Sequence, residues 1–181
     1  MDKLIYTAMS GAKQAFLQQA GVAQNLANAS TTGYRAMEHR FRSVPVQGDG
    51  LATRAFTVNA SVADSFQPGP LMQTGRALDV AVQGAGWIAV ETPNGEAYTR
   101  AGAFQVTADG QLQTPSGNAI LGDGGPIAIP PDNRVTIATD GTVSVVPLFG
   151  TPNNSNPVGR IKLVNPPEND LARGPDGLFR L

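Results

Sequence analysis

The first 28 residues carry the most regular pattern of hydrophobic and polar positions in the chain. Apolar or small residues recur there at alternating intervals of three and four, which predicts an α-helix with a coiled-coil seam. We expect this seam to be an assembly interface formed by Ile5, Ala8, Ala12, Ala15, Gln19, Val22 and Leu26. Gln19 is its one polar member, and a single polar residue in a seam more often specifies register than prevents association.

The remaining faces of this predicted helix are almost uncharged. Between Gln14 and Tyr34 the sequence contains no Lys, Arg, Asp or Glu, although surface helices ordinarily place charged residues opposite their apolar stripe. A polar but neutral face is therefore expected to be covered by protein. No second long helix is predicted further along, so we expect this helix to have no partner within its own chain. Gly33 is expected to stop it as a left-handed residue.

Periodicity is weak from residue 35 to residue 70, which predicts an extended arm or linker. A short alternation over residues 56–62 allows one edge strand there. Three arginines surround His39, the only histidine of the chain, namely Arg35, Arg40 and Arg42. Such a cluster fits either a phosphate contact or a solvated surface, and without a phosphate-binding motif the solvated surface is favoured.

Beyond residue 70 the period of the pattern changes to two and turn dipeptides become frequent, which predicts an all-β domain of short, hairpin-connected strands. Strands are predicted at 78–82, 87–90, 97–99, 104–106, 127–129, 135–137, 143–146 and 161–164. The predicted fold is thus mainly β, an irregular sandwich or barrel preceded by a long N-terminal helix. The predicted domains are 1–34, the assembly helix; 35–70, the arm; and 71–181, the β domain.

Amino-acid composition and net charge argue against several classes of function. The 181 residues include 21 Gly and 14 Pro, only 15% are charged, and the net charge is −1. A neutral chain has no basic field to hold nucleic acid or an anionic membrane. Without cysteine there are no disulfides and no thiolate metal sites. We also predict no cleaved signal peptide and no membrane insertion, since no apolar run is long enough to span a bilayer.

Three patterns that resemble sites of chemistry fail on context. Gly84-Ala85-Gly86 matches a dinucleotide fingerprint, but a strand rather than a helix is predicted to follow it. A Ser-His-Asp triad would have to use His39, which lies outside the β domain. Trp87 fits a sugar platform less well than a buried core aromatic. We therefore expect no catalytic residues, no cofactor, no metal and no small-molecule substrate.

The residues that close the first helix carry a family resemblance. The motif consists of Asn25, Ala27, Asn28, Thr31, Gly33, Tyr34 and Arg35. It resembles the signature of the bacterial flagellar axial proteins, the family that contains rod, hook and hook-associated subunits. Further similar blocks lie at 78–87, 98–104, 109–112 and 158–164. The opening residues 1–11 look most similar to the proximal rod type.

This resemblance implies a structural subunit of the flagellar basal-body rod, a torque-transmitting driveshaft for motility that spans the periplasm. Its implied partners are other axial proteins, copies of itself and the type III export apparatus, through which it would pass without a cleaved signal peptide. The family also has a C-terminal helix, whereas this sequence reaches Leu181 without one. We therefore expect the sequence to be a truncated piece.

Other classes stay open on sequence grounds. A distal rod or hook-type subunit of the same family is the nearest alternative. A secreted β-rich adhesin or glycan-binding module is a second, and glycan binding by the β domain would support it. A peptidoglycan-cleaving enzyme is a third, testable by muropeptide release.

Overall fold

The computed structural model describes residues 4–45, 55–149 and 155–181, and the predicted start of the helix at Asp2 lies outside these ranges. Within them the chain forms one α-helix, α1 (Leu4–Ala27), and fourteen strands. The first strands are β1 (Met37–Pro45), β2 (Ala55–Asp64), β3 (Trp87–Thr92), β4 (Gly95–Thr99), β5 (Gln105–Val106), β6 (Leu112–Gln113) and β7 (Ala119–Gly122). The others are β8 (Gly125–Pro126), β9 (Asn133–Ile137), β10 (Thr142–Pro147), β11 (Asn156–Arg160), β12 (Leu163–Val164), β13 (Ala172–Arg173) and β14 (Phe179–Arg180). A 3₁₀ turn occupies Glu168–Asp170.

The chain divides into two compact units, residues 1–67 and 68–181, called here the N-terminal unit and the β unit. The predicted fold class, a mainly β chain with a long N-terminal helix, is confirmed. The helix and residues 35–67 belong to the same unit, whereas the sequence-based division places a boundary after residue 34.

The N-terminal unit contains a strand pair within the predicted arm. β1 and β2 are antiparallel, with Met37 opposite Asp64 and Pro45 opposite Ala55. A bulge interrupts the register between Arg40 and Phe41. The predicted edge strand falls within β2, while β1 was not predicted. In β1 the half-buried residues Met37, His39 and Phe41 alternate with exposed polar residues. This period-two pattern could have predicted the strand, but it is weak because one of the three inward residues is a histidine.

The β unit is built from two sheets. The larger one has the strand order β13-β14-β4-β3-β7-β6-β5, with β12 also paired to β3 and β8 to β7. The smaller one has the order β11-β10-β9. Side chains from both sheets form a single apolar cluster, which includes Ile88, Val90, Phe104, Leu112, Ile120, Val135, Val143 and Val145. This shared core is what the prediction of an irregular sandwich required.

Local strand predictions were less accurate than the fold class. Two predicted strands are reduced to single bridges, Asp79 with Ala103 and Gln111 with Ala128. Conversely, β7 was missed although it pairs with β3, β6 and β8. Ala119, Ile120 and Gly122 are all buried, so β7 has no alternation of buried and exposed positions to mark it as a strand.

Gly102 allows the backbone at Val80, in the segment before β3, to pack closely against the backbone that follows β4. A Cβ at this position would be 1.7 Å from the carbonyl oxygen of Val80, and the amide of Val80 donates a hydrogen bond to the carbonyl of Gly102 at 2.8 Å. The two backbones therefore approach more closely than any side chain permits.

We predict that Gly102→Ala lowers the free energy of unfolding of the β unit by about 3 kcal/mol or more, because the backbone at Val80 must move and lose its hydrogen bond. The measurement is urea unfolding followed by Trp87 fluorescence. Gly124→Ala is the matched control: a Cβ there meets nothing within 4 Å, so a change within about 0.5 kcal/mol is expected. Equal midpoints for the two variants would contradict this account.

Candidate functional site

The side chain of Asn25 joins the end of α1 to the start of β1. Its Oδ1 accepts hydrogen bonds from the amide of Met37 at 3.0 Å and from the hydroxyl of Tyr34 at 3.1 Å. Its Nδ2 donates to the carbonyl oxygen of Met37 at 2.9 Å. Asn25 thus pairs with both backbone groups of Met37, as a neighbouring strand would.

The turn after the helix is held by the second asparagine of the motif. Asn28 Nδ2 donates to the carbonyl of Gln24 at 3.0 Å, and the Thr31 hydroxyl donates to Asn28 Oδ1 at 3.2 Å. The Gln24 carbonyl also accepts from the Asn28 amide at 3.2 Å, so Asn28 bonds to it through both its backbone and its side chain and fixes the start of the turn. Gly33 has a φ of +73° as predicted. The helix, however, ends at Ala27, so Gly33 closes the following turns and does not itself stop the helix.

Arg35 is separated from the other two arginines of the predicted basic cluster. It is buried, and its Nη1 donates to the carbonyl of Gln67. Arg40 and Arg42 are exposed on β1, whereas His39 is half-buried. Because alternate residues of a strand face opposite sides, His39 points to one face of β1 and the two arginines to the other. The basic cluster is therefore not a single surface.

α1 packs on the β1–β2 pair through small and polar residues. A Cβ on Gly21 would be 2.6 Å from Cδ2 of His39, so any larger residue would require the His39 ring to move. The helix residues less exposed than their neighbours share one face and are Thr7, Ser10, Gly11, Gln14, Gly21 and Asn25. The expectation that the helix has no partner within its chain is wrong. The neutral face that we expected to be covered packs on the antiparallel pair β1–β2, which is called the hairpin below.

Several buried polar atoms at this helix–hairpin contact lack hydrogen bonds to the described part of the chain. Gln14 Oε1, His39 Nδ1 and Asn59 Oδ1 are buried and have no hydrogen-bond partner among the described residues. An unsatisfied buried polar group costs about 1–3 kcal/mol. The contact therefore positions the helix without stabilising it strongly.

The opposite face of α1 is exposed and apolar. All seven residues of the predicted seam are exposed: Ile5, Ala8, Ala12, Ala15, Gln19, Val22 and Leu26. The structure brings no described element against them, so their role as an interface stays a prediction. Two exposed bulky residues that the heptad pattern left out, Met9 and Phe16, lie beside the seam, and two more, Tyr6 and Leu17, lie further round the helix. Phe16 is 71% exposed and Leu26 is 74% exposed, the reverse of an ordinary amphipathic helix.

The β unit agrees with two of the earlier interpretations. Trp87 begins β3 directly after Gly84-Ala85-Gly86, so the glycines do not open a helix and the dinucleotide interpretation is rightly rejected. Trp87 is 4% exposed and its ring lies 4.6 Å from that of Phe179. It is a core residue, as predicted.

Two carboxyl groups of the β unit, those of Asp140 and Asp176, are held by hydrogen bonds within their turns, and Asp176 also forms an ion pair with Arg180. Hydrogen bonds from Thr142 lower the pKa of Asp140, and the hydrogen bond from Arg180 is the main cause that lowers the pKa of Asp176. Both carboxyl groups are thereby kept ionised. Over residues 4–45, 55–149 and 155–181, no three His, Asp or Glu side chains are grouped to hold a metal ion.

In the described part of the chain no helix combines the length and the apolar character that a membrane span requires.

Comparison with known families places these features in a class. Residues 5–35, which form α1 and the hydrogen-bonded turn, match the model described as flagella basal body rod protein. Residues 81–145, the centre of the β unit, match the model described as flagellar hook protein FlgE/F/G D1 domain. Both units are thus those of axial proteins of the bacterial flagellum.

Individual relatives narrow the class. The chain is 48% identical to the flagellar basal-body rod protein FlgF of Salmonella typhimurium, over 100% of this chain and 72% of the relative. It is 47% identical to FlgF of Escherichia coli over the same shares. Similarity to the rod protein FlgG of Bacillus subtilis is lower, 30% over 91% of this chain and 69% of the relative. The chain therefore belongs to the FlgF family of flagellar basal-body rod proteins, and the predicted resemblance is confirmed.

We predict that Asn25→Asp detaches the end of α1 from β1. The aspartate can still accept from the Met37 amide, but it cannot donate to the Met37 carbonyl and brings negative charge against that oxygen, at a cost of about 2 kcal/mol. Amide hydrogen exchange over residues 4–45, followed by mass spectrometry, should become faster. Gln24→Glu adds the same charge at an exposed neighbouring position and should leave exchange unchanged. Wild-type protection in the Asn25→Asp variant would refute this role for Asn25.

Proposed function

We propose that this structural subunit of the flagellar basal-body rod polymerises through the exposed apolar face of α1, which packs against helices of other axial proteins and of further copies. The observation that carries the proposal is the inverted burial of the helix. Its polar face lies on the hairpin and its apolar face lies in solvent. A contiguous exposed apolar surface of this kind usually marks a protein-interaction site.

The energetics favour burial of this face on assembly. Fully burying a large apolar side chain is worth about 1.5–3 kcal/mol, and α1 exposes Ile5, Met9, Phe16, Val22 and Leu26 by more than half. The polar contact with the hairpin contributes little by comparison. Helices draw most of their stability from packing, so neighbouring helices would complete the stability of α1.

A subunit of this type would transmit torque through interdigitated helices and would need no catalytic group, cofactor or small-molecule substrate. Heterologous contacts that do not close produce helical filaments, the geometry that a driveshaft across the periplasm needs. Support for a structural rather than catalytic role comes from the buried Trp87, the ionised turn carboxylates and the rod proteins to which the chain is similar.

Passage through the type III export apparatus in an unfolded state is part of the same proposal. The sequence contains no cysteine, so no disulfide opposes unfolding, and the contact between α1 and the hairpin has unsatisfied polar atoms. Proximal rod position is favoured over distal rod or hook position because similarity to FlgF exceeds similarity to FlgG. The glycan-binding alternative loses its best platform, since Trp87 is buried.

We predict that Ala15→Asp abolishes incorporation into basal bodies while the isolated chain stays folded. Ala15 is exposed, so the substitution costs the monomer only about 0.5 kcal/mol of helix propensity. In an assembled seam the same aspartate would be an unpaired buried charge. The measurements are soft-agar motility and electron microscopy of basal bodies from cells that carry only the variant.

Gln24→Asp is the control for this prediction. It adds the same residue to an exposed helix position outside both the seam and the face that packs on β1 and β2, and near-normal motility is expected. Normal basal bodies in the Ala15→Asp strain would sink the proposed role of the seam.

A further inference from the structure

The face of the β1–β2 pair that points away from α1 carries two arginines and one glutamate, Arg40, Arg42 and Glu38, and so has a net charge of +1. Arg40 lies opposite Ser61 and Arg42 lies opposite Val58, on the outer side of the two strands. The Arg40 side chain is 68% exposed and its ion pair with Glu38 is long, at 3.8 Å. Arg42 is exposed and forms no ion pair within the described ranges. We call the surface formed by Arg40, Arg42 and Val58 the outer strip.

Charge is distributed unequally between the two units. Residues 1–67 contain six Lys or Arg and four Asp or Glu, a net charge of +2. Residues 68–181 contain seven Lys or Arg and ten Asp or Glu, a net charge of −3. The N-terminal unit is therefore complementary in charge to the β unit.

One exposed turn of the β unit concentrates unpaired negative charge. Asp79, Glu96 and Asp176 have cationic partners, namely Arg76 at 3.6 Å, Lys162 at 2.8 Å and Arg180 at 2.5 Å. The other acidic residues outside this turn are exposed carboxylates spaced singly along the chain. The 3₁₀ turn contains Glu168 and Asp170, both exposed. Neither forms an ion pair with a described residue. Two carboxylates in three residues can match the two guanidinium groups of the outer strip, since arginine and carboxylate form strong, oriented hydrogen bonds.

We propose that the outer strip of one copy docks on the Glu168–Asp170 turn of a second copy of this chain. The inference rests on the proposed function, because a polymer brings copies together at high local concentration. The strip and the turn are different surfaces, so the contact is heterologous and can repeat from subunit to subunit. Complementary charge would set the register between copies, which apolar helix faces leave loosely specified.

Charge reversal tests this contact, because one chain with an acidic strip and another with a basic turn should associate only with each other. The first variant is Arg40→Glu with Arg42→Glu, and the second is Glu168→Lys with Asp170→Lys. At low ionic strength each variant alone should self-associate roughly tenfold more weakly than the wild type, because attraction becomes repulsion. An equimolar mixture should recover wild-type association within about threefold, and added salt should weaken it. Sedimentation velocity gives the association constants.

The controls separate this contact from a general charge effect. Arg134→Glu and Asp109→Lys reverse exposed charges that lie outside the contact and outside α1 and should leave association unchanged. Arg42→Glu alone, which disturbs no ion pair, should weaken association in part. Unweakened association of either double variant, or a mixture that fails to recover, would overturn the proposal.

The same variants distinguish this contact from polymerisation by the helix. If Ala15→Asp assembles normally while the charge-reversed mixture behaves as expected, the helix proposal fails and the strip contact stands. If Ala15→Asp blocks assembly but charge reversal changes nothing, the helix proposal stands and the strip contact fails.

Discussion

The arrangement of the N-terminal unit depends on the hydrogen bonds between the Asn25 amide and both backbone groups of Met37. They fix the end of the helix to the first residue of β1, and they require Asn25 to face the strands. Every residue one or two helical turns earlier on that face, Gly21 included, must then face the strands as well. The direction in which α1 presents its apolar side follows from one amide group.

The consequence is a helix whose solvation is reversed. A free domain would bury Ile5, Phe16 and Leu26 and leave Gln14 and Asn25 in water. Here the polar residues are covered, at the cost of unsatisfied groups, and the apolar residues are exposed. The β unit is different, because the buried cluster around Phe104 and Ile120 gives it a core of its own. The β unit is thus stable by itself, whereas the helix keeps an apolar face exposed. This is the arrangement expected of a subunit whose helix becomes fully buried only in the polymer.

Local patterns in the sequence predicted most of the architecture. The intervals of three and four predicted α1, and the turn glycines predicted a domain of short strands. Errors arose where specific contacts, and not hydrophobic periodicity, decide the structure. β1 has a histidine at one of its inward positions, β7 has no exposed position, and the helix ends before Gly33 at a turn held by Asn28 and Thr31. The structure of these segments depends on the residues that contact them in the fold, and hydrophobic periodicity carries no information about those contacts.

The sequence by itself determined the helix, its uncharged character, the motif from Asn25 to Arg35 and hence the family, because these depend only on residue types at short spacing. The tertiary structure alone decided which face of the helix is covered. It also separated buried Arg35 from exposed Arg40 and Arg42. Both outcomes depend on where β1 and β2 lie, and the pairing that places them joins residues that are 10 to 27 positions apart.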